Sequence, residues 1–279
     1  MDSCEHCKTA IETMGRQCIR CGSDIGFPNV RLARRANERG PLFIRAVQSR
    51  RAGSTSAAQD RLRALARTAG NCTVVMNRRL GTLFSWITGD DPLLHPYHRQ
   101  VERGRPPGDD DWNAVRESAE AAVLPYCYQE INFAALSPDG RGMDYYGPYL
   151  VTLKLDLVAH RTTLFEENPY FFFKHHGVLT GTRPPVGYRA RWRERRSIAI
   201  AKLGDAARAD PTLPIEDLIM GANGDAPSCD FIEAHIYGTI HRDCIQRVEG
   251  PLPADPVERE FWRLLQQTLH SRGVEVKQV

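Results

Sequence analysis

The spacing of apolar positions changes several times along the chain, and each change marks an element. Leu62, Leu65 and Ala66 recur at helical spacing, which predicts an amphipathic helix ending near Gly70. At Cys72 the character shifts. Thr73-Val74-Val75-Met76 is a short unbroken apolar run, the pattern of a buried strand. Leu80, Leu83, Phe84 and Ile87 return to helical spacing, so a strand feeds a helix with Asn77-Arg78-Arg79 at the joint. Gly89-Asp90-Asp91-Pro92 closes that helix. Residues 103–111 are turn-rich and end in three aspartates, which suit the N-terminal dipole of the next helix. Trp112, Val115, Ala119, Ala122 and Val123 form its predicted buried face.

From residue 131 the pattern turns β-rich. Residues 131–136 read as a strand, Ser137-Pro138-Asp139-Gly140 as a turn, and residues 149–155 and 160–165 as further strands. Phe171-Phe172-Phe173 reads as core, and residues 177–188 as a Gly/Pro-rich loop. Residues 188–203 are predicted helical, with Trp192, Ala199 and Leu203 on one side and Gly204 as the stop. Residues 231–237 and 244–248 follow as strands. Residues 257–269 form a closing helix bearing Phe261, Leu264, Leu265 and Leu269, with Gly273 past its end. Upstream, Pro28 suits a helix start, and Gly40-Pro41 separates two short helices over residues 31–39 and 41–51. Gly53-Ser54-Thr55-Ser56 is a linker with Ser56 as N-cap. No internal repeat is visible.

The sharpest chemical signal precedes all of these elements. Cys4-Glu5-His6-Cys7 and Cys18-Ile19-Arg20-Cys21 are two Cys-x-x-Cys pairs ten residues apart. Four thiolates in two knuckles match a tetrahedral Zn²⁺ site, so Cys4, Cys7, Cys18 and Cys21 are the expected ligands of a structural zinc ribbon. A segment this small buries little, and the metal would supply its folding energy. The alternative pairing is two disulfides, which the absence of a hydrophobic secretion segment disfavours. Cys72, Cys127, Cys229 and Cys244 lack metal spacing and read as buried thiols.

Composition is that of an ordinary globular chain: 279 residues, 42% hydrophobic and 25% charged. No run approaches the ~18 apolar residues of a membrane span, so a cytoplasmic protein without membrane contact is expected. The net charge of +3 hides an asymmetry, because residues 1–71 carry 13 Lys and Arg against 6 Asp and Glu. Arg31, Arg34, Arg35, Arg39, Arg45, Arg50, Arg51, Arg61, Arg63 and Arg67 supply most of it. That basic front end suits contact with phosphate backbones, or equally a solvated helical linker. There is no Gly-rich phosphate loop and no Gly-x-Ser-x-Gly elbow, which disfavours Walker-type nucleotide hydrolysis and serine acyl transfer.

One late segment carries a resemblance. Asp230-Phe231-Ile232-Glu233-Ala234-His235-Ile236-Tyr237-Gly238 sets a glutamate at the head of a strand that ends at glycine, and Cys244-Ile245-Gln246-Arg247-Val248 returns an apolar strand. This resembles the end of the ADP-ribosyltransferase fold, in which a glutamate at the start of a late strand supports the reaction of NAD⁺. The Val74–Met76 run leading to Asn77-Arg78 is similar to the family's opening strand with its arginine. Ala134-Ala135-Leu136-Ser137 and then Tyr145-Tyr146-Gly147 are similar to its middle strand with a serine and a nearby aromatic. The order Arg78, Ser137, Glu233 is the family's order, and the similarity spans residues 72–250. The middle element lacks the usual Ser-Thr-Ser run, and Asn77 and Arg79 compete with Arg78.

Together with the cysteine spacing and the basic helices, the resemblance gives an α+β protein in three parts: a zinc ribbon over residues 1–27, a basic helical connector over 28–71, and an ADP-ribosyltransferase-like mixed α/β domain over 72–279. It implies transfer of ADP-ribose from NAD⁺, used as substrate, to a macromolecular acceptor, and the basic front end puts nucleic acid ahead of protein. Glu233 and Tyr146 would act in catalysis, and Arg78, Asn77, Ser137 and Tyr146 would hold the dinucleotide. A toxin or defence effector is the implied setting, which leaves room for an inhibitory partner. His235 falls on the same side of its strand as Glu233 and suits either a substrate contact or a packed core position. His160-Arg161 with Glu166-Glu167-Asn168 forms a second polar cluster, and His175-His176 lacks metal spacing. The rival reading is a non-catalytic zinc-ribbon protein that binds nucleic acid. A nuclease is weaker, because no paired acidic set resembles a two-metal site.

Overall fold

The apolar runs assemble into one mixed sheet whose two faces are treated differently. The computed structural model describes residues 3–11, 15–53, 55–104, 110–178, 182–221 and 229–279, and of residues 110–113 the backbone alone. Its strands are β1 (Thr73–Arg78), β2 (Leu93–Leu94), β3 (Ile131–Ser137), β4 (Tyr149–Leu153), β5 (Thr162–Phe165), β6 (Arg189–Arg191), β7 (Glu233–Tyr237), β8 (Ile240–His241), β9 (Ile245–Gly250) and β10 (Glu275–Gln278). Its helices are α1 (Pro28–Arg34), α2 (Ala36–Ala52), α3 (Ser56–Asn71), α4 (Leu80–Thr88), α5 (Tyr97–Glu102), α6 (Asp110–Val123), α7 (Leu155–Val158), α8 (Pro169–His176), α9 (Arg195–Ala209), α10 (Ile215–Met220) and α11 (Pro256–Ser271).

Eight strands run in the order β10-β9-β4-β1-β3-β7-β5-β6, and β2 pairs with β8 separately. Within the large sheet only β9 and β10 are parallel. Alternation sorts the side chains between the faces. Val74, Met76, Ala134, Leu136, Val151, Leu153, Leu164, Ala234 and Ile236 share the main core with Leu65 and Ala69 of α3, Ile198 and Ala199 of α9, and Leu265 and Leu269 of α11. The opposite face carries Val75, Ala135, Glu233 and Phe165 in one row across four strands, since Val75 pairs with Ala135, Ala135 with Glu233 and Glu233 with Phe165. Beside that row Phe133 pairs with His235. A smaller apolar cluster of Val123, Leu124, Ile131, Phe165 and Phe172 fixes α6 and α8 over that face.

Several expectations are corrected. The helical stretch over residues 28–71 is no free-standing connector, because Leu42, Ala46, Leu65 and Ala69 belong to the same core as the strands. Its helix break falls at Arg35, whose extended ψ of 139° separates α1 from α2, and not at Gly40-Pro41. Pro41 lies early in α2 and removes one amide bond, which the burial of Leu42 and Ala46 offsets. The cap of α3 is Thr55, whose hydroxyl accepts the Ala58 amide, and Ser56 is the first helical residue.

The predicted helix over residues 188–203 begins as strand β6. Arg189 and Arg191 are buried there, and Glu194 binds both the Arg191 guanidinium and its amide before α9 starts. Gly204 does not stop that helix. A Cβ there would meet Ser49 Oγ at 2.0 Å, so glycine allows α2 and α9 to touch. Val115 is exposed on α6, and Trp262 takes the inward position on α11 while Phe261 and Leu264 are partly exposed. Residues 155–158 form α7 instead of extending β4, and His160 and Arg161 lie in a 3₁₀ turn before β5. The aspartate cap of α6 and the Trp112 side chain lie outside the described residues. Among the described residues no helix is long and apolar enough to cross a membrane.

Candidate active site

The polar face of the sheet floors a cleft of about 540 Å³. Three remote parts of the chain meet in its lining: Asn77, Arg78 and Arg79 from the end of β1, Tyr145 and Tyr146 from the turn before β4, and Glu233 from the head of β7. Arg116 and Glu120 of α6, Phe133 of β3, and Asn168, Tyr170 and Phe171 at the start of α8 complete most of the wall. Of the residues expected to act together, Glu233, Tyr146, Arg78 and Asn77 therefore share one cleft.

Ser137 does not line the cleft. It lies further along β3, opposite Thr73 and fully buried, where its hydroxyl accepts the Gly140 amide at 3.0 Å. The Pro138-Asp139-Gly140 turn uses that hydroxyl, which is why a serine stands there. Asn77 lines the cleft, but its amide is engaged in the protein. It donates to the Gly147 carbonyl at 2.8 Å and accepts the Met143 amide at 2.7 Å, which pins the turn bearing Tyr145 and Tyr146 to β1. Gly147 follows that turn at φ 140°, and a Cβ there would lie 2.4 Å from the Arg78 carbonyl carbon. Only glycine lets the tyrosine turn approach β1 so closely. Arg78 at the end of β1, which donates to the Asn77 carbonyl at 2.7 Å, and Arg79 just before α4 bring two guanidiniums to the cleft lining.

Glu233 is 3% exposed. Oε2 stands 2.8 Å from His235 Nε2, and Oε1 accepts a long contact of 3.4 Å from Asn168 Nδ2. Asn168 is aimed by its role as N-cap of α8, where its Oδ1 accepts the Tyr170 amide. Burial pushes the Glu233 carboxyl well above the usual carboxylate range, the Glu120 charge adds to the push, and the Arg116 guanidinium works against it. Burial draws the His235 imidazole well below its usual value, with Arg189 adding to the effect, so the ring is neutral. Burial and then the Glu233 charge also raise the Tyr146 phenol.

Arg116 and Glu120 escaped the sequence analysis. They are four residues apart on α6, paired to each other, and Glu120 also meets His98 Nε2 at 2.7 Å. Arg116 lies 4.6 Å above the Tyr97 ring. The signal was present: both charges sit in the same helical stripe as Ala119 and Val123, which predicts inward-facing charge. Phe171, expected in the core, lines the cleft, while Phe172 is the buried member of that run. The polar cluster around residues 160–168 divides by role. Arg161 donates to the Tyr237 and Thr239 carbonyls, Glu166 pairs with Arg45, and Asn168 alone reaches the cleft.

At the other end of the chain the four cysteines come together. Every pair of Sγ atoms lies within 4.8 Å, with Cys4 and Cys21 at 3.7 Å and Cys7 and Cys18 at 3.6 Å. Tetrahedral thiolates around zinc stand ~3.8 Å apart, whereas a disulfide requires ~2.05 Å, so the donor set fits one ion. The two knuckles repeat one turn. The Cys4 amide donates to Thr9 and the Lys8 amide to Cys4, just as Cys18 donates to Ser23 and Gly22 to Cys18. Thr9 lowers the Cys7 thiol to about 6, and Ser23 lowers Cys21. Lys8 and Gly22 hold the same left-handed position at φ 59° and 70°, and there only Lys8 is strained. Arg31 of α1 ties this segment down by donating to the Gly15 and Gly26 carbonyls.

Neither a family model nor a curated protein matches the chain. Solved structures do. Thermus sp. 2.9 DarT in complex with ADP-ribosylated ssDNA aligns at 14% identity over 75% of this chain and 94% of that one, with a TM-score of 0.41. The same protein in complex with carba-NAD⁺ aligns at 13% identity over 75% and 96%, with a TM-score of 0.38. Likeness at this level assigns neither activity nor residues, and the chemistry rests on the cleft itself.

The basic front end is partly consumed within the protein. Besides Arg31, Arg45 forms a bidentate pair with Glu166 and stacks over Tyr188, Arg39 pairs with Glu194, and Arg61 donates to the Leu213 carbonyl. These arginines tie α1 to the cysteine segment and α2 and α3 to the rest of the chain, and they leave fewer for an outside phosphate than the count suggests.

Two measurements check this geometry. The folded state keeps Glu233 protonated where the unfolded chain loses the proton, so stability falls as pH rises from about 4.5, the ordinary value, towards the raised one. Glu233→Gln removes that dependence and keeps the contact to His235. At pH 8 its thermal midpoint is expected to equal or exceed that of the wild type, and a clear fall would contradict a buried, raised carboxyl. Cys18→Ser is expected to lose stoichiometric zinc by atomic emission and to lose exchange protection over residues 3–11 and 15–27, with the sheet still protected. Retention of a full equivalent would exclude the four-thiolate site.

Proposed function

We propose that the protein is an NAD⁺-dependent glycosyltransferase that moves ADP-ribose to a macromolecular acceptor. The observation that carries the reading is the meeting of Glu233, Arg78 and Tyr146, remote in sequence, around one cleft of about 540 Å³. In this reading the guanidinium of Arg78, with Arg79 beside it, holds the pyrophosphate as a bidentate cation does. Tyr146, half-exposed at the rim, offers its face to the nicotinamide. Glu233 lies under the nicotinamide ribose.

The reaction then follows from charge. The bond between ribose C1′ and the nicotinamide nitrogen breaks, and its electron pair neutralises the pyridinium. C1′ gains oxocarbenium character, which the ionised Glu233 stabilises at short range in a site of low dielectric. The acceptor nitrogen or oxygen bonds to C1′, and its proton passes to Glu233. A carboxyl raised above its ordinary range is suited to this step, because a more basic carboxylate is the better proton acceptor. The cationic nicotinamide and Arg116 favour the ionised form once substrate is bound.

The acceptor assignment, nucleic acid ahead of protein, is supported by the exposed arginines left around the cysteine cluster and α1–α3. The cluster itself is proposed as a structural Zn²⁺ site. Cys4, Cys7, Cys18 and Cys21 would hold the ion, and the ion would supply folding energy to a segment with almost no core. A toxin or defence role, with a partner that restrains it, accords with such an activity. Ser137 is proposed to shape the turn after β3 and not to touch the ribose.

Nicotinamide release by the purified protein, with single-stranded nucleic acid or lysate protein as acceptor, tests the reading. Glu233→Gln is expected to reduce turnover at least ~100-fold. The wild-type rate is expected to rise with pH along an acid limb lying above 4.5, because the ionised carboxylate is the active form and its value is raised. No turnover with any acceptor, in a protein that binds nucleic acid with steep salt dependence, would favour the non-catalytic binding module.

A further inference from the structure

We propose that His235 is a positioning residue: as a neutral Nε2–H tautomer it donates to Glu233 Oε2 and so leaves Oε1 as the oxygen presented to the substrate. This role rests on the transferase reading of the cleft and adds a residue to it.

Three observations carry the assignment. His235 is completely buried, so it touches neither solvent nor substrate, which excludes the direct contact that its strand position allowed. Its Nε2 stands 2.8 Å from Glu233 Oε2, one pleat along the same face of β7. Its other ring nitrogen, Nδ1, is buried and has no hydrogen-bond partner among the described residues. A hydrogen on Nδ1 would be an orphaned donor, which costs more than an orphaned lone pair in an apolar shell. The single proton of the neutral ring therefore belongs on Nε2, and Glu233 Oε2 accepts it both when the carboxyl is ionised and when its own proton sits on Oε1.

The ring is also held in orientation. Phe165 stacks on it with centroids 5.8 Å apart, and Phe133 meets it edge-on at 5.1 Å. Its backbone carbonyl accepts from Asn29 Nδ2 at 3.0 Å, so α1 fixes that stretch of β7 from outside the cleft. The charged and titratable groups facing the pair are few. Arg189 of β6 faces His235, while Arg116 and Glu120 of α6, Lys202 of α9 and Tyr146 face Glu233. None of them supplies a hydrogen bond to Oε2.

The donor has a definite chemical effect. Oε2 is taken by the buried His235, and Oε1 lies on the side of Asn168, itself a residue of the cleft wall. A donor to the ionised form favours ionisation, which opposes the effect of burial. His235 is no proton relay, because among the described residues Nδ1 has no acceptor to receive a proton passed through the ring.

The test compares His235→Leu and His235→Gln with the wild type and with Glu233→Gln. The glutamine Nε2–H occupies the place of the imidazole Nε2–H but cannot carry a proton onward. His235→Leu is expected to lower kcat about 10- to 100-fold, with KM for NAD⁺ within about twofold, and to move the acid limb to higher pH. His235→Gln is expected to restore most of kcat and return the limb towards the wild-type position. Equal losses in both variants, or an unmoved limb in His235→Leu, would overturn the role. Ring ¹⁵N shifts of the unliganded wild type give a check that needs no variant: an Nδ1–H tautomer or an imidazolium at neutral pH overturns the assignment. Wild-type turnover that neither His235 variant disturbs removes the positioning role and leaves the transferase intact. Absence of wild-type turnover removes both.

Discussion

A carboxyl group placed on the floor of a folded sheet is the constraint to which most of this molecule answers. Burying an ionised carboxylate without partners is prohibitive, and proteins respond by neutralising or pairing it. Here both responses are partly used. Glu233 titrates high, while His235, Asn168 and Arg116 surround it from three different elements. Each of those elements is fixed by apolar packing elsewhere: α6 and α8 through the Phe165–Phe172 cluster, β7 through its central place in the sheet. The group is poised because the surrounding structure is rigid enough to hold it at a cost.

The sheet makes this affordable by giving its two faces different duties. One face is continuous hydrophobic core beneath α3, α9 and α11, and it supplies the stability. The other is interrupted by Glu233, His235 and Asn77, and it floors the cleft. The row Val75–Ala135–Glu233–Phe165 shows the arrangement in miniature. Ala135 beside Glu233 is small and leaves room above the floor, while Phe165 closes the far side. The tyrosine turn approaches β1 over Gly147 and is pinned by Asn77, so the rim is as determined as the floor.

Much of this was legible in the sequence, and the losses have physical causes. Strand β1 announced itself by an unbroken apolar run and β3 and β7 by their largely apolar composition, and Glu233 stood out as a charge at the head of β7. The four cysteines were legible because metal geometry fixes their spacing. Ser137 misled because a serine before Pro138 serves a turn and a ribose site equally well in one dimension. Residues 188–203 misled because Arg189 and Arg191 look like a helix surface until Glu194 is found beside them. Arg116 and Glu120 were marked only as charges in an apolar helical stripe, and what they face, His98 and Glu233, lies far away in the chain. The basic front end was overvalued, since a count of arginines does not reveal which of them already hold a carboxylate or carbonyl at home.

The most direct test of the account is a structure of the protein with a non-hydrolysable NAD⁺ analogue. The account predicts the dinucleotide in this cleft, with the nicotinamide ribose within hydrogen-bond distance of Glu233 Oε1, the ring against Tyr146 and the pyrophosphate on Arg78 or Arg79. An analogue bound with its ribose away from Glu233, or excluded from the cleft at saturating concentration, would contradict it.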